Sequence, residues 1–277
     1  MSDLKWQMDL VCPVTKQPLH RESDHLETPD GRFKYPVIQG IPILAESQKF
    51  TMFDDSLYKP HIGTKDHNPY PALDHHVKFV GSDWKRMLDL GSGDGVWSAP
   101  CASLVDEIYC VNPGLLALQL LQKRHIPNMF PIVAFGESLP FPDNFFDGIF
   151  NIFVIEHLED PIPMLREMHR VLKPSGALVI TTDNRMYDKY LRYVVEWREK
   201  GWGNWVKANP THVNVMYPGM LRKYLTRASF EVVLEDYGLT GTSRRERLFG
   251  SWIARTYLTA VFRFVCRPDK AGATVSE

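Results

Sequence analysis

A short glycine-rich segment restricts the fold of this chain more than any other part of it. The segment from Met87 to Gly95 reads MLDLGSGDG, an apolar run with one acidic residue followed by a loop in which every second residue is glycine. A short apolar run of this kind is typical of a buried strand. Glycine adopts positive φ without strain and leaves no Cβ between the backbone and a ligand. The segment therefore predicts a buried strand that ends at a ligand-binding turn.

Strand and helix patterns alternate from Lys85 onward. Apolar runs predict strands near 86–90, 107–112, 129–135, 146–152 and 177–182, and two last strands near 230–234 and 260–266. Helical patterns lie near 95–104, 114–125 and 161–173. Such alternation predicts an α/β fold, a doubly wound parallel sheet with helices on both faces. Ligands of these sheets bind beyond the carboxyl ends of the strands, where the glycine loop follows the first strand.

Three regions differ in their patterns and predict the domain organisation. Residues 1–50 contain many prolines and turn-forming residues, and they predict a small β-rich module with short strands at 10–13 and 34–38 around a turn at 29–31. Residues 51–84 predict a linker and one helix near Val77. Residues 85–277 predict a single larger domain, with an aromatic-rich insertion or lid at about 183–227.

Charge and cysteine content limit the class of protein. The formal net charge is −1, whereas proteins that work on nucleic acid usually carry a basic surface. The four cysteines lie far apart, without the spacing of a zinc site or a disulfide framework, which predicts free thiols in the cytoplasm. The first ten residues include acids and no apolar signal core, and the apolar stretch 248–266 contains two arginines, so we expect no membrane span.

The spacing of the glycines helps to distinguish between classes of ligand. Dinucleotide-binding loops read G-x-G-x-x-G, whereas Gly91, Gly93 and Gly95 form G-x-G-x-G and Val96 occupies the sixth position. No basic residue follows in the loop, which argues against a phosphate-binding loop of the Gly-Lys-Thr type. An acid at the strand end suits the ammonium group of S-adenosylmethionine. The glycine loop alone leaves both ligand classes open.

Four separated segments resemble class I S-adenosylmethionine-dependent methyltransferases of the type 11 kind. They are 88–95 (LDLGSGDG), 137–147 (ESLPFPDNFFD), 154–161 (VIEHLEDP) and 170–176 (RVLKPSG). The resemblance implies a Rossmann-like sheet of seven strands in which the last strand is antiparallel. It also implies S-adenosyl-L-methionine as the cofactor.

The resemblance further implies which residues bind that cofactor, at the ends of strands and on the loops that follow them. The expected set is Asp89, Gly91, Ser92, Gly93, Gly95, Asn112, Pro113, Gly136, Glu137, Ser138 and Asn151. Two positions depart from the family pattern, because Asn112 and Phe135 stand where acids often contact the ribose and the adenine. An amide lacks the charge-assisted hydrogen bond of a carboxylate, a loss of roughly 1 kcal/mol. These departures lower the expected affinity without changing the expected cofactor.

Two histidines are candidate catalytic bases, with His157 as the first choice and His212 as a second candidate. His157 follows the fourth strand, and in similar enzymes this histidine lies near the transferred methyl group. His212 precedes a helix that we expect near the acceptor, and Tyr187 and Trp197 are candidates to line the acceptor pocket. A purely structural role is the alternative for each histidine. Some similar O-methyltransferases bind a divalent ion through E-x-x-E-H, but Phe153 replaces the first acid, so we expect no metal.

The N-terminal module carries a second resemblance. Residues 12–42 resemble the small zinc-ribbon-like domain that accompanies several tRNA, rRNA and protein methyltransferases, in which two C-x-x-C pairs hold zinc. Only Cys12 remains here, because Thr15 takes its partner's position and Thr28 lies near the second pair. One thiolate cannot complete a tetrahedral zinc site. We therefore expect a metal-free module that shapes the substrate site or mediates self-association, with a homodimer as one outcome.

Together these features predict transfer of a methyl group from S-adenosyl-L-methionine to a small-molecule acceptor. O-methylation of a natural product or a sugar-containing metabolite is the preferred reaction. Methylation of an rRNA or tRNA base is an alternative that the N-terminal resemblance suggests, although the neutral charge argues against it. A degenerate cofactor-binding scaffold protein is a second alternative, suggested by Asn112 and Phe135.

Overall fold

The computed structural model describes residues 9–45, 76–185, 212–237, 259 and 261–270. Most of the linker predicted at 51–84 lies outside these residues. So does the greater part of the insertion predicted at about 183–227, including the candidate acceptor-binding residues Tyr187 and Trp197. Among the described residues, no helix reaches the length and apolar character needed to cross a membrane.

The larger of the two described sheets has seven strands. They are β5 (Arg86–Leu90), β6 (Glu107–Asn112), β7 (Met129–Val133), β8 (Phe146–Ile152), β9 (Leu172–Asp183), β10 (Phe230–Asp236) and β11 (Val261–Pro268). Their order is β10-β11-β9-β8-β5-β6-β7, and β11 runs antiparallel to both of its neighbours. The predicted fold class is confirmed, including the antiparallel last strand. The order reverses at β5, which pairs in parallel with β8 on one side and with β6 on the other.

Three α-helices accompany the sheet in the described part of the chain: α1 (Leu115–Gln122), α2 (Ile162–Val171) and α3 (Pro218–Arg227). The helix predicted at 161–173 is α2, and its apolar stripe faces the core, where it buries Ile162, Met164, Leu165, Met168 and Val171. At its end, the backbone amides of Asn144 and Phe145 donate to the carbonyls of Arg170 and Val171, which have no partner within the helix. The chain then continues directly into β9, so α2 ends two residues earlier than predicted.

The helix predicted at 95–104 is wrong. Within that range the structure has one 3₁₀ turn, Ala99–Cys101, surrounded by irregular turns. Gly95 has a φ of 76°, outside the helical region, and Pro100 has no amide hydrogen to continue a helical ladder. The segment is nevertheless partly buried, at Ser98 and Cys101.

The smaller sheet forms the N-terminal module. Its antiparallel strands are β1 (His20–Arg21), β2 (His25–Glu27), β3 (Lys34–Ile38) and β4 (Ile41–Pro42), in that order. The strand predicted at 34–38 is confirmed, but the one predicted at 10–13 reduces to a single bridge between Val11 and Pro18. A tight turn interrupts it, because the Lys16 amide donates to the Cys12 carbonyl at 2.8 Å.

The module packs against the β7 edge of the large sheet. Ile43 bridges in parallel to Val133, and the Leu44 amide donates to the Val133 carbonyl at 2.7 Å. The apolar residues Leu10, Cys12, Leu19, Leu26 and Tyr35 are buried in the same cluster as the aromatic core of the large domain. The module thereby covers the edge strand β7 and pairs with its backbone at Val133.

An aromatic cluster around Tyr109 fills the core on one face of the sheet. Its ring centroid lies 5.4–5.5 Å from four other rings, those of Phe130, Phe141, Phe145 and Phe146. On the other face, the indole of Trp84 lies over β8 at Gly148, where a Cβ would come within 2.1 Å of Trp84 Cζ3. Glycine at this position lets a large ring pack directly on the strand backbone.

Replacement of Gly148 tests this packing. We expect Gly148→Ala to lower the free energy of unfolding by about 1–3 kcal/mol, because overpacking displaces a buried ring. Trp84→Leu in the same background should relieve the clash, so the double variant should lose less stability than the two single variants together. Chemical denaturation of all four proteins measures this coupling, and strictly additive losses would contradict the proposed contact.

Candidate active site

The glycine loop adopts the backbone conformation that its sequence predicts. Gly91, Gly93 and Gly95 have φ values of 81°, 54° and 76°, in the region that favours glycine. A Cβ at Gly91 would lie 2.1 Å from Val154 Cγ2. The amides of Gly91 and Ser92 both donate to the Val111 carbonyl, at 2.8 and 3.1 Å. The loop is thus held against β6 at the switch point of the sheet.

Asp89 lies at the start of this loop as a buried carboxyl group. Burial raises its pKa to about 7, although a hydrogen bond from Ser98 acts in the opposite direction. Its Oδ2 atom has no hydrogen-bond partner within the protein. An unsatisfied buried carboxylate is costly, and a ligand ammonium nearby would lower that cost. Together with the open glycine backbone, this carboxyl fits the amino-acid end of S-adenosylmethionine.

Asn112, the candidate ribose contact, ends β6 and bridges two loops. Its Oδ1 accepts a hydrogen bond from the Gly93 amide at 3.4 Å, and its Nδ2 donates to the Gly114 carbonyl at 3.1 Å. Pro113 lies between Asn112 and Gly114, directly before α1. The side chain therefore lies beside the glycine loop, at the position where the resemblance implies a ribose-binding residue.

The loop after β7 contains the candidate adenine contacts. A Cβ at Gly136 would come within 2.7 Å of Met164 Cγ, so the backbone packs directly on α2. Glu137 is exposed, whereas the Ser138 hydroxyl donates to the Pro13 carbonyl of the N-terminal module at 2.8 Å. On β8, which pairs with β5 on the other side of the sheet, the buried Asn151 donates from Nδ2 to the Leu90 carbonyl at 3.1 Å.

A second polar cluster lies beyond the carboxyl ends of β8 and β9. It brings together His157 and His212, whose ring centroids are 4.8 Å apart at an interplanar angle of 83°. His212 Nδ1 lies 3.2 Å from Asp183 Oδ2. Thr182 Oγ1 donates to Glu156 Oε2 at 3.0 Å, and the Asn214 amide donates to the Glu156 carbonyl oxygen at 2.9 Å. Three distant parts of the chain thus meet around the two histidines.

Glu156 is the most deeply buried member of this cluster. Burial and the nearby Asp183 raise its pKa to about 8, while His212 and Thr182 act in the opposite direction. Its Oε1 atom has no hydrogen-bond partner. Glu156, His157 and His212 each present one possible cation ligand, and these atoms lie within 4.8 Å of one another. The absence of a metal, expected because Phe153 replaces the first acid of the linear motif, stays a prediction.

Asp183 is the functional candidate that sequence reasoning missed. It is the last residue of β9 and follows a buried apolar run, and acids at the carboxyl ends of parallel strands often face a ligand site. That strand-end position was the available signal. Its partner could not be identified, because His212 lies beyond the insertion in sequence.

Comparison with known proteins agrees with this geometry. Residues 88–180 match the family model described as a methyltransferase domain. The Ubiquinone/menaquinone biosynthesis C-methyltransferase UbiE of Pectobacterium carotovorum is 34% identical over 120 residues, which cover 40% of this chain and 48% of that protein. A Ubiquinone biosynthesis O-methyltransferase of Parvibaculum lavamentivorans is 26% identical over 167 residues, covering 56% and 66%. The chain thus spans only about half the length of the first of these relatives.

Solved structures support the fold. A chain from a complex between the Haloferax volcanii Trm112 methyltransferase activator and a methyltransferase superposes with a TM-score of 0.56 at 15% identity, covering 72% of this chain and 89% of that one. An S-adenosylmethionine-dependent methyltransferase from Mesorhizobium loti superposes with a TM-score of 0.51 at 17% identity, covering 68% and 93%. At these identities the likeness establishes the fold alone.

The buried Glu156 predicts a pH dependence of stability. Its pKa rises from 4.5 in the unfolded chain to about 8 in the folded protein, so the folded state holds more protons between these values and stability falls as pH rises. Glu156→Gln removes the carboxyl group that takes up this proton. The unfolding free energy of the variant should therefore fall less steeply with pH, by about 1.4 kcal/mol per pH unit between the pKa values of 4.5 and about 8. The variant should therefore be more stable than the wild type above pH 8.

Denaturant titrations from pH 4 to 9 measure this effect. Asp89 remains in both proteins and contributes a slope of the same sign, since its pKa is also raised. Glu137→Gln, at an exposed position, serves as the matched control. An unchanged slope in Glu156→Gln would show that Glu156 is ionised in the folded protein at neutral pH.

Proposed function

We propose that this chain, whose residues 88–180 form a methyltransferase domain of the class I S-adenosylmethionine-dependent kind, transfers a methyl group to a small organic acceptor. The observation that carries the proposal is the glycine loop at the switch point, which combines three positive φ values with the unsatisfied carboxyl of Asp89. S-adenosyl-L-methionine supplies an activated methyl group on a sulfonium when it is bound.

The proposed cofactor-binding residues lie at the carboxyl ends of four strands. Asp89, Gly91, Ser92, Gly93 and Gly95 would hold the methionine end, where glycine leaves no Cβ. The candidates at the ends of β6 and β7 would bind the nucleoside side, with the ribose near β6 and the adenine near the loop after β7: Asn112, Pro113, Gly136, Glu137 and Ser138. Asn151 lies on β8, which pairs with β5, and stays a candidate cofactor contact there.

The proposed acceptor is a hydroxyl group of a natural product or a sugar-containing metabolite. A hydroxyl must lose its proton as its oxygen attacks a methyl carbon, and an imidazole is suited to accept that proton near neutral pH. The similar quinone-biosynthesis proteins, one named a C-methyltransferase and one an O-methyltransferase, favour a small molecule over a nucleic acid. Tyr187 and Trp197 stay predicted acceptor contacts.

The contacts of the two histidines favour His212 as the base. If Nδ1–H of His212 faces the Asp183 carboxylate, the lone pair of the ring lies on Nε2, which can then take a proton. The raised pKa of Glu156 favours its neutral form at pH 7. His157 packs edge-on against His212 and is the alternative base.

We place this reaction in the cytoplasm and without a bound metal. All four cysteines are free and buried, which supports a reducing compartment. The linear divalent-ion motif lacks its first acid at Phe153, which supports catalysis by side chains alone. Self-association into a homodimer stays a prediction. Against it, most apolar side chains in the described part of the N-terminal module are buried within this chain.

Two measurements test the proposed function. Calorimetry should show binding of S-adenosylhomocysteine, and labelled S-adenosylmethionine should transfer its methyl group to members of a panel of phenols, quinols and glycosides. Dialysis against a chelator should leave the turnover unchanged. Failure to bind the cofactor at millimolar concentration would favour the scaffold alternative, and transfer to RNA with steep salt dependence would favour the RNA alternative.

Substitutions at the histidine cluster test the assignment of the base. His212→Ala should lower kcat about 100-fold, since a positioned base contributes roughly that factor or more. Asp183→Asn should lower kcat about tenfold by disturbing the tautomer of His212, and the affinity for S-adenosylhomocysteine should change little in both variants.

His157→Ala distinguishes the two histidines, and the exposed His20→Ala is the control. If His157→Ala removes activity while His212→Ala retains it, the base is His157. Full activity in both variants would exclude a histidine base. Stability measurements on each protein identify variants that lose activity by unfolding.

A further inference from the structure

We infer that the N-terminal module is a built-in brace for the adenine loop, defined as residues 133–140, and that Lys16 is its polar anchor. The inference rests on the proposed function, since it assigns the module a part in cofactor affinity. The role differs from substrate shaping or self-association, because the module would act on a loop of its own chain.

Backbone and hydroxyl contacts hold the adenine loop at its two ends and near its middle. At the first end, the Leu44 amide donates to the Val133 carbonyl at 2.7 Å. At the other end, the Val11 amide donates to the Pro140 carbonyl at 3.0 Å. Between them, the Ser138 hydroxyl donates to the Pro13 carbonyl at 2.8 Å. The loop thus cannot move away from the module without loss of several hydrogen bonds.

Lys16 adds a fourth contact between the module and the loop, and this contact is charged. Its Nζ donates to the Leu139 carbonyl at 3.2 Å and to Glu167 Oε2 at 3.0 Å. The same Glu167 oxygen accepts the Leu139 amide at 2.8 Å, and Arg170 Nε donates to Glu167 Oε1 at 2.7 Å. Both backbone polar groups of Leu139 are therefore held by one ionic network that joins the module to α2.

The pKa of Glu167 supports an ion pair between this carboxylate and Lys16. Burial alone would raise the pKa of this carboxyl, but hydrogen bonds from Arg170 and Lys16 lower it. The charged form is the one that accepts hydrogen bonds from both Lys16 and Leu139. Lys16 itself has a φ of 59° and ends the turn that begins at Cys12. From there its side chain reaches Leu139 and Glu167 of the large domain.

The brace has an apolar foundation and a second polar contact. Leu10, Cys12 and Leu19 are buried in one cluster with Leu139 of the loop and with Phe141 directly after it. Gln39 of the module also accepts hydrogen bonds from the side chains of Gln119 and Gln122 on the helix that follows the ribose-side strand. The module therefore contacts the elements behind both nucleoside-binding loops.

Preorganisation explains why such a brace would raise affinity. A loop that is already ordered loses less conformational entropy when a ligand binds. The acid that often contacts the adenine is replaced by Phe135, so the loop has few strong side-chain contacts to offer. Its backbone position must then supply more of the binding free energy.

The experiment compares Lys16→Met with Lys34→Met in the full-length protein. Lys34 forms a lysine–carboxylate pair of the same length, 3.0 Å to Glu27 Oε2, within the module. Hydrogen exchange of the ligand-free protein should become about tenfold faster in peptides that cover 133–140 in Lys16→Met, and it should stay unchanged there in Lys34→Met. The dissociation constant for S-adenosylhomocysteine should rise about tenfold in Lys16→Met alone.

Glu167→Gln is a second variant that keeps the shape of the network but removes the charge that Lys16 contacts. It should reproduce the exchange effect in part, and Lys16→Arg should restore slow exchange. A folded Lys16→Met protein with unchanged exchange and affinity would overturn the inference, as would exchange that rises equally throughout the domain. If the wild type does not bind S-adenosylhomocysteine, the proposed function fails, while the exchange comparison still decides whether the brace exists.

Discussion

The reversal of strand order at β5 is the constraint on which the rest of the structure depends. Because β8 and β6 pair with opposite sides of β5, the loops after these strands diverge and open a crevice at the carboxyl end of the sheet. The glycine loop borders that crevice and is held to the Val111 carbonyl by two amides. Candidate cofactor residues and candidate bases both lie toward the carboxyl end of the sheet, although they are spread across the chain.

Buried carboxyl groups distinguish this crevice from the core around it. Asp89 and Glu156 are both buried, both have a raised pKa, and each has one oxygen without a hydrogen-bond partner. A fold optimised only for stability would avoid such groups, since they destabilise the folded state when ionised. Their position at the ends of β5 and β8 is typical of a site in which a ligand or a proton completes the interactions.

The N-terminal module lacks all but one of the cysteines of the zinc-ribbon-like domains that its sequence resembles. With Cys12 as the one remaining candidate thiolate, it cannot form the zinc site of the domains it resembles. The thiol is instead buried and lies 3.2 Å from the Tyr35 hydroxyl, within the apolar core that the module shares with the large sheet. The module thus packs against the β7 edge of the large sheet, next to residues 133–140.

The sequence by itself determined the strands of the large sheet, the glycine turn and the fold class, because alternation, apolar runs and glycine conformations are local properties. Local reasoning was wrong at 95–104, where Pro100 prevents the helix that apolar spacing suggested. Only the tertiary structure brought Asp183 to His212 and Lys16 to Glu167. Those pairs join segments far apart in the chain, and their meeting depends on how helices and module pack, which no local pattern encodes.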